Sequence, residues 1–148
     1  LLGISIVSLV ILLGVLIFAH EIGHFLAAKY WGVKVLKFSL GFGPRLIGKK
    51  WGETEYLISL FPLGGYVKLL GESETEEITE SDMNRSFSTQ SVSRRMGIVA
   101  AGPIFNFVLA ILIFTGVYMY GVPVLMTRIG DIQEGSPAFS SGIKKGDT

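Results

Sequence analysis

His20-Glu21-Ile22-Gly23-His24 sets two imidazoles four residues apart with a carboxylate beside the first. On an α-helix, residues i and i+4 share one face about 6 Å apart along the axis, so both rings can direct a nitrogen to a single cation. Glu21 falls about 100° round the helix from His20, within reach of a water at that cation without having to be a ligand. Zinc hydrolases use this arrangement to lower the pKa of a water toward ~7 and pass its proton to the carboxylate. A catalytic zinc site normally takes three protein ligands and keeps one position open. His20 and His24 supply two. No histidine follows His24, and the nearest acids, Glu53 and Glu55, fall in a β-leaning segment. The third ligand is therefore expected beyond Thr148, on another membrane helix.

The segment that carries this motif is apolar. Nothing between Leu1 and Ala19 is charged, and two apolar blocks stand out, Leu1 to about Tyr30 and Met96 to Thr127. Each exceeds the ~20 residues needed to cross a ~30 Å hydrocarbon core. With 49% hydrophobic and 17% charged residues, the whole chain leans toward the membrane class. A signal peptide fits the first block poorly: the run outlasts the roughly 7–15 residues of an h-region, no basic n-region precedes it, and no small-x-small site follows Phe18. With no initiator methionine and an end at Thr148 in mid-segment, the chain is expected to be part of a longer product.

His20 precedes Lys29, the expected water boundary, by about 13 Å at ~1.5 Å per residue. Two imidazoles and a carboxylate at that depth are costly unless paired, metal-bound or facing a wet cavity, which favours function over incidental polarity. His20 and His24 are also the only two histidines. Gly23 between them lowers helix propensity by about 1 kcal/mol relative to Ala, so it points either to a close approach by a substrate backbone or neighbouring helix, or to simple small-residue packing.

Charge narrows the partners. A net charge of +1 leaves no basic patch able to neutralise many phosphates, so no nucleic-acid partner is expected. The absence of cysteine excludes disulfides and thiolate ligands. Ten of the thirteen Lys and Arg residues lie from Lys29 to Arg95, which places that loop in the cytoplasm and the N-terminus and the tail from about Arg128 outside.

The predicted organisation is a mainly α membrane protein. Residues 1–30 form a first transmembrane helix with the zinc motif, 31–95 a cytoplasmic loop, 96–124 a second transmembrane helix and 125–148 an exterior segment. Within the loop, Val33–Leu40, Tyr56–Phe61 and Tyr66–Leu70 read as strands of small, membrane-associated β-hairpins. They are separated by Gly41-Phe42-Gly43-Pro44, Gly48 and Pro62-Leu63-Gly64-Gly65. Glu72 to Asp82 reads as a solvated acidic loop, and Ser86 to Arg95 as a polar approach to the second helix. Gly102-Pro103 is expected to kink that helix and free backbone groups. Asn106 lies inside it, where an amide needs a partner. Ser136 and Pro137 give an N-cap and first position for a short helix, which Gly142 stops.

Four segments, in this order and spanning nearly the whole chain, resemble the site-2 protease family of intramembrane zinc metalloproteases. They are His20-Glu21-Ile22-Gly23-His24-Phe25, Phe38-Ser39-Leu40-Gly41-Phe42-Gly43-Pro44, Pro62-Leu63-Gly64-Gly65-Tyr66-Val67-Lys68 and Gly102-Pro103-Ile104-Phe105-Asn106. Within the family the chain is similar to the bacterial regulator-of-sigma-factor group, whose members carry periplasmic PDZ modules and act in regulated intramembrane proteolysis. The resemblance implies that His20 and His24 bind Zn²⁺, that Glu21 is the general base and acid, and that an aspartate on a later helix completes the site. It further implies that Gly64, Gly65 and Tyr66 belong to a β element that engages an unwound substrate as an added strand, a purely structural hairpin being the alternative. Asn106 is placed near the active site by the same likeness, to contact substrate or help stabilise an oxyanion; a helix-packing hydrogen bond is the alternative. The tail from Arg128 to Asp147 resembles the opening of a PDZ domain, against an unrelated exterior loop.

The expected activity is hydrolysis of peptide bonds in the membrane segments of other membrane proteins, such as anti-sigma factors. The partners are then a membrane-spanning substrate and the lipid bilayer, in the inner membrane of a bacterium. The competing class is a non-catalytic membrane adaptor with a degenerate metal site and a partner-binding PDZ module. A metal transporter would want acids or histidines repeated along several helices, and the second helix has none.

Overall fold

The computed structural model describes residues 2–73, 78–122 and 128–147. Its elements are α1 (Leu2–Tyr30), β1 (Val35–Trp51), β2 (Thr54–Leu69), a 3-10 turn (Glu80–Arg85), α2 (Val92–Tyr120) and α3 (Pro137–Ser140). They divide into two compact units, Leu1–Phe114 and Thr115–Thr148.

Helix α1 runs without a proline to Tyr30 and stops where its sequence supplies a cap. Gly32, at φ +74°, takes the left-handed position, and the amides of Gly32 and Val33 return to the carbonyls of Lys29 and Ala28 at 3.1 and 2.8 Å. This paired closure satisfies helix-end carbonyls and turns the chain toward β1. Both α1 and α2 are long and apolar enough to cross a membrane. Their outward apolar side chains lack cover: Ile11 is 61% exposed and Ile111 64%.

The strands differ from the expected set of small hairpins. β1 and β2 are single long strands paired antiparallel, and their bends create more than one line of pairing. Residues 37–40 face residues 68–65 on one side and residues 55–58 on the other, while the last part of β1, from Arg45 to Trp51, pairs back from Ser59 to Thr54. Four runs result, ordered 45–51, 54–59, 35–40 and 65–69. The Gly41–Pro44 and Pro62–Gly65 segments are bends within strands rather than breaks between them, and Gly48 is paired with Leu57. Gly41 and Gly43 make the first bend possible at φ +88° and +90°, where a side chain would be strained. The last run, 65–69, lies beside α1.

Ala28, Val33, Val35, Leu69 and Ile98 form the buried core, with Phe25 and Trp31 packed on it. It joins the end of α1, the start of β1, the end of β2 and the start of α2. Charged groups close it from outside: Lys29 Nζ donates to Glu53 at 2.6 Å, Arg85 to the same carboxylate at 2.7 and 2.8 Å, and Lys34 to Asp82 at 2.5 Å. The hydrogen bond from Lys29, helped by that from Arg85, holds the Glu53 carboxyl below its ordinary range.

The acidic stretch is shorter as a loop than expected. Glu80 to Asp82 begin the 3-10 turn, and residues 74–77 lie outside the described residues. Helix α2 starts at Val92, ahead of the expected residue 96, because Ser91 and Arg95 already share a helical hydrogen bond of 3.1 Å. It ends at Tyr120, short of the expected 124, because Gly121 takes φ +105° and cannot continue a right-handed helix; residues 123–127 lie outside the described residues.

In the second unit, Ser136 Oγ accepts from the Phe139 amide at 3.2 Å, Pro137 opens α3, and Gly142 follows at φ +77°. These are the start and stop signals that the sequence supplies. The Ile129 and Gly146 segments pair at 2.8 and 2.9 Å around this short helix.

Candidate metal centre

Helix α1 brings His20 and His24 together as its periodicity requires. Their ring centroids are 4.7 Å apart and the planes stand 81° to each other. Both rings lie against α2 at Gly102. A Cβ added at Gly102 would fall 2.8 Å from His20 Cε1 and 2.7 Å from His24 Cε1, and closer still to His24 Nε2. Only a glycine leaves this notch open.

Gly23 allows the approach from the opposite side. A Cβ there would strike the Ala101 carbonyl and lie 3.0 Å from Phe105 Cβ. Of the explanations open for Gly23, close packing against the neighbouring helix is the one with a contact. The approach brings the Ile98 carbonyl oxygen 2.7 Å from His24 Nδ1. A carbonyl can only accept, so Nδ1 carries the proton and the Nε2 lone pair is free to bind a metal. An outer hydrogen bond of this kind is how metal-ligating histidines are held. Asn106 reaches the other ring, with its side-chain nitrogen 3.4 Å from His20 Nδ1.

Glu21 turns toward the sheet. A Cβ on Gly65 would lie 2.9 Å from Glu21 Cγ, and the main-chain amide of Val67 reaches the Glu21 carboxylate. The 65–69 run is thus an outer run of the sheet with Glu21 against it. Between Glu21 and His24, Gly65 to Val67, and Ile98 and Val99 is a cavity of about 260 Å³. Val99 is the residue whose carbonyl would take the helical hydrogen bond that Pro103 cannot donate. The expected freeing of backbone by Gly102-Pro103 therefore falls at this cavity.

Of the residues singled out in the sequence, Glu21, His24, Gly65 and Tyr66 line this cavity, while His20 joins them through its contact with His24 and Asn106 through His20. Gly64 does not line the cavity; its α-carbon is covered by Phe42, whose Cδ1 would be 2.6 Å from an added Cβ. Three participants gave no sequence signal as such: the Ile98 carbonyl, the Val67 amide and Glu72. Glu72, which the sequence assigns to a solvated loop, lines the cavity mouth and accepts from the Leu69 amide at 3.2 Å.

Two imidazoles, one tautomer fixed by a carbonyl, and a notch that a single methyl would fill suit zinc, for which nitrogen donors and an adjacent carboxylate are an ordinary set. Among the described residues, no group of three or more His, Cys, Asp and Glu side chains could hold a metal.

Known proteins are similar to this chain over most of its length. The model of peptidase family M50 matches residues 8–145. A Clostridium acetobutylicum protein named "Putative zinc metalloprotease" is 45% identical over 144 residues, covering 97% of this chain and 41% of its own. A Vibrio cholerae protein of the same name is 44% identical, covering 95% and 31%. Protease RseP of Yersinia pestis is 43% identical, covering 96% and 32%. The chain thus spans roughly a third to two-fifths of the length of these relatives. With the family model matched from residue 8 to residue 145, around a His-Glu-x-x-His helix packed on Gly102, the chain belongs to peptidase family M50, the site-2 proteases.

Proposed function

We propose that this chain forms the His-Glu-x-x-His half of a zinc-dependent protease that hydrolyses peptide bonds in membrane-spanning segments of other proteins. The observation that carries the reading is the placement of Glu21. It stands between the paired imidazoles and an outer run of the sheet, on a helix apolar enough to cross a membrane. His20 and His24 would hold Zn²⁺, with a third ligand from a later segment of the longer protein. When bound, the ion supplies Lewis acidity for acyl transfer to water.

The residues of this chain do the rest. Glu21 accepts a proton from the attacking water and returns it to the leaving amine. The run from Gly65 to Val67, with Gly64 at its bend, receives an extended substrate as an added strand, since a helical peptide keeps its carbonyls internally bonded and an extended one presents them. The Leu69, Phe87 and Ile98 side chains, which line the cavity, restrict water there. Membrane segments of regulatory proteins such as anti-sigma factors are the substrate class. The excess of Lys and Arg from Lys29 to Arg95 supports a cytoplasmic position for the sheet, at a bacterial inner membrane. The tail from Arg128 then opens a PDZ domain outside.

Substituting Glu21→Gln in the full-length protein tests this directly. Zinc content should stay at the wild-type level, while cleavage of a membrane-anchored substrate in proteoliposomes should fall by at least about a thousandfold, since the general base and acid is lost. Cleavage at the wild-type rate by the zinc-loaded variant would remove Glu21 from the mechanism. A zinc-loaded wild type that cleaves no membrane segment would favour an adaptor.

A further inference from the structure

Two histidines of the same site are held in different ways. His24 Nδ1 meets a main-chain oxygen at 2.7 Å, so its proton and its free lone pair are assigned. His20 Nδ1 meets the amide of Asn106 at 3.4 Å through the side-chain nitrogen, while Asn106 Oδ1 is buried without a partner. With the amino group turned to the ring, Asn106 is a donor. Nδ1 must then accept, the ring proton sits on Nε2, and the atom needed for metal is blocked. The buried carbonyl oxygen is also left unsatisfied, which is unfavourable in a low-dielectric interior.

The two ends of a primary amide have nearly the same shape, so bonding chemistry decides which one faces the ring. A half-turn about the last side-chain bond puts the oxygen toward Nδ1–H. That single rotation gives the oxygen a donor, moves the ring proton to Nδ1 and bares Nε2. The NH₂ group then occupies the position the oxygen left, as a donor for an oxygen brought by substrate or by a later ligand. Gly102 lies one turn before Asn106 and packs on both rings, so α2 presents the two acceptors, Ile98 O and Asn106 Oδ1, on either side of the notch.

We infer that Asn106 is a positioning residue for His20: its side-chain oxygen accepts from Nδ1–H and fixes the tautomer whose Nε2 binds the metal, as the Ile98 carbonyl does for His24. The inference rests on the zinc-centre reading above and gives Asn106 a role in metal binding that is separate from contact with substrate. Outer-sphere partners of metal-bound histidines are typically worth about 10–100-fold in metal affinity.

The test is zinc affinity of the full-length protein in detergent, by competition with a chromophoric chelator, for wild type, Asn106→Leu and Asn106→Asp. Leucine keeps the volume and removes the acceptor. Aspartate keeps the acceptor and removes the donor. We expect Asn106→Leu to bind zinc about 10–100-fold more weakly and Asn106→Asp to stay within about threefold of wild type. Wild-type affinity in Asn106→Leu, or an equal loss in Asn106→Asp, would overturn the assignment. If the leucine variant fails to fold, the aspartate variant still decides, because a role through the NH₂ group requires it to lose affinity. A wild type that binds no zinc would overturn the assignment together with the metal centre. Cleavage by the same preparations separates the two readings: wild type that binds zinc tightly but cleaves nothing defeats the proposed protease, while the affinity series still reports on Asn106.

Discussion

Around His20 and His24, helix α1 meets its neighbours through residues that have no side chain. Gly23 and Gly102 let α1 and α2 touch backbone to ring, and Gly65 lets the sheet rest on Glu21. At Lys29 the same helix is fastened by long charged side chains, with Lys29 and Arg85 sharing Glu53 and Lys34 holding Asp82 nearby. The two fastenings obey different laws. Steric repulsion rises steeply over tenths of an ångström, so a glycine contact fixes distance and fails abruptly. An ion pair between groups that are roughly one-third exposed is soft and screened by water and salt, and its loss is graded. The chemistry needs the first kind of precision and the sheet's attachment to α1 needs only the second.

The largest effect that would sharpen this contrast is expected at Gly102→Ala. The added methyl improves helix propensity by about 1 kcal/mol, so α2 should form at least as well. Yet it overlaps both imidazoles, and overpacking of this kind costs about 1–3 kcal/mol, or roughly ten- to hundredfold in zinc affinity. Zinc titration of the variant checks this, and unchanged affinity would mean that the rings do not depend on the notch.

A smaller and differently placed loss is expected for Gly65→Val. Its Cβ would lie 2.9 Å from Glu21 Cγ and 3.0 Å from the Ser39 carbonyl. Cleavage should fall about tenfold while zinc affinity holds, because the clash, near the lower end of the overpacking range, displaces the carboxylate and not the imidazoles. Equal losses in both measurements would show that the sheet and the metal centre are not separable.

The smallest effect belongs to the charged clasp. Its partners hold Glu53 below its ordinary pKa when folded, so its stabilisation is present above the unfolded value and lost as pH falls through the folded one. Glu53→Gln should cost about 0.5–1 kcal/mol at neutral pH, shrink with added salt and flatten the acid side of the stability profile. Thermal unfolding against pH and salt reads all three. A loss of several kcal/mol would contradict the soft-clasp view.

The same contrast explains what could be read along the chain. Features set by neighbouring residues are legible: the His-Glu-x-x-His face of α1, three of the four strand runs (45–51 is not among them), and the Ser136-Pro137 start and Gly142 stop of α3. Features set by contacts across the fold are not. Glu53 and Glu55 were visible only as acids too poorly placed to bind metal, because nothing local announces that Lys29 and Arg85 converge on Glu53. The bends at Gly41–Pro44 and Pro62–Gly65 looked like strand ends, since turn residues do not disclose that pairing resumes on a second side. Gly23 was ambiguous until Ala101 appeared beside it.

The Ile98 carbonyl carries one further consequence, in terms of robustness to mutation. Its hydrogen bond to His24 is made by the main chain, so no replacement of the Ile98 side chain can delete the acceptor while α2 keeps its course. His20, by contrast, depends on the identity of one side chain at position 106. If both rings bind zinc as proposed, one ligand is insured by the path of a helix and the other by a single codon, and random mutation should find the second far more easily than the first.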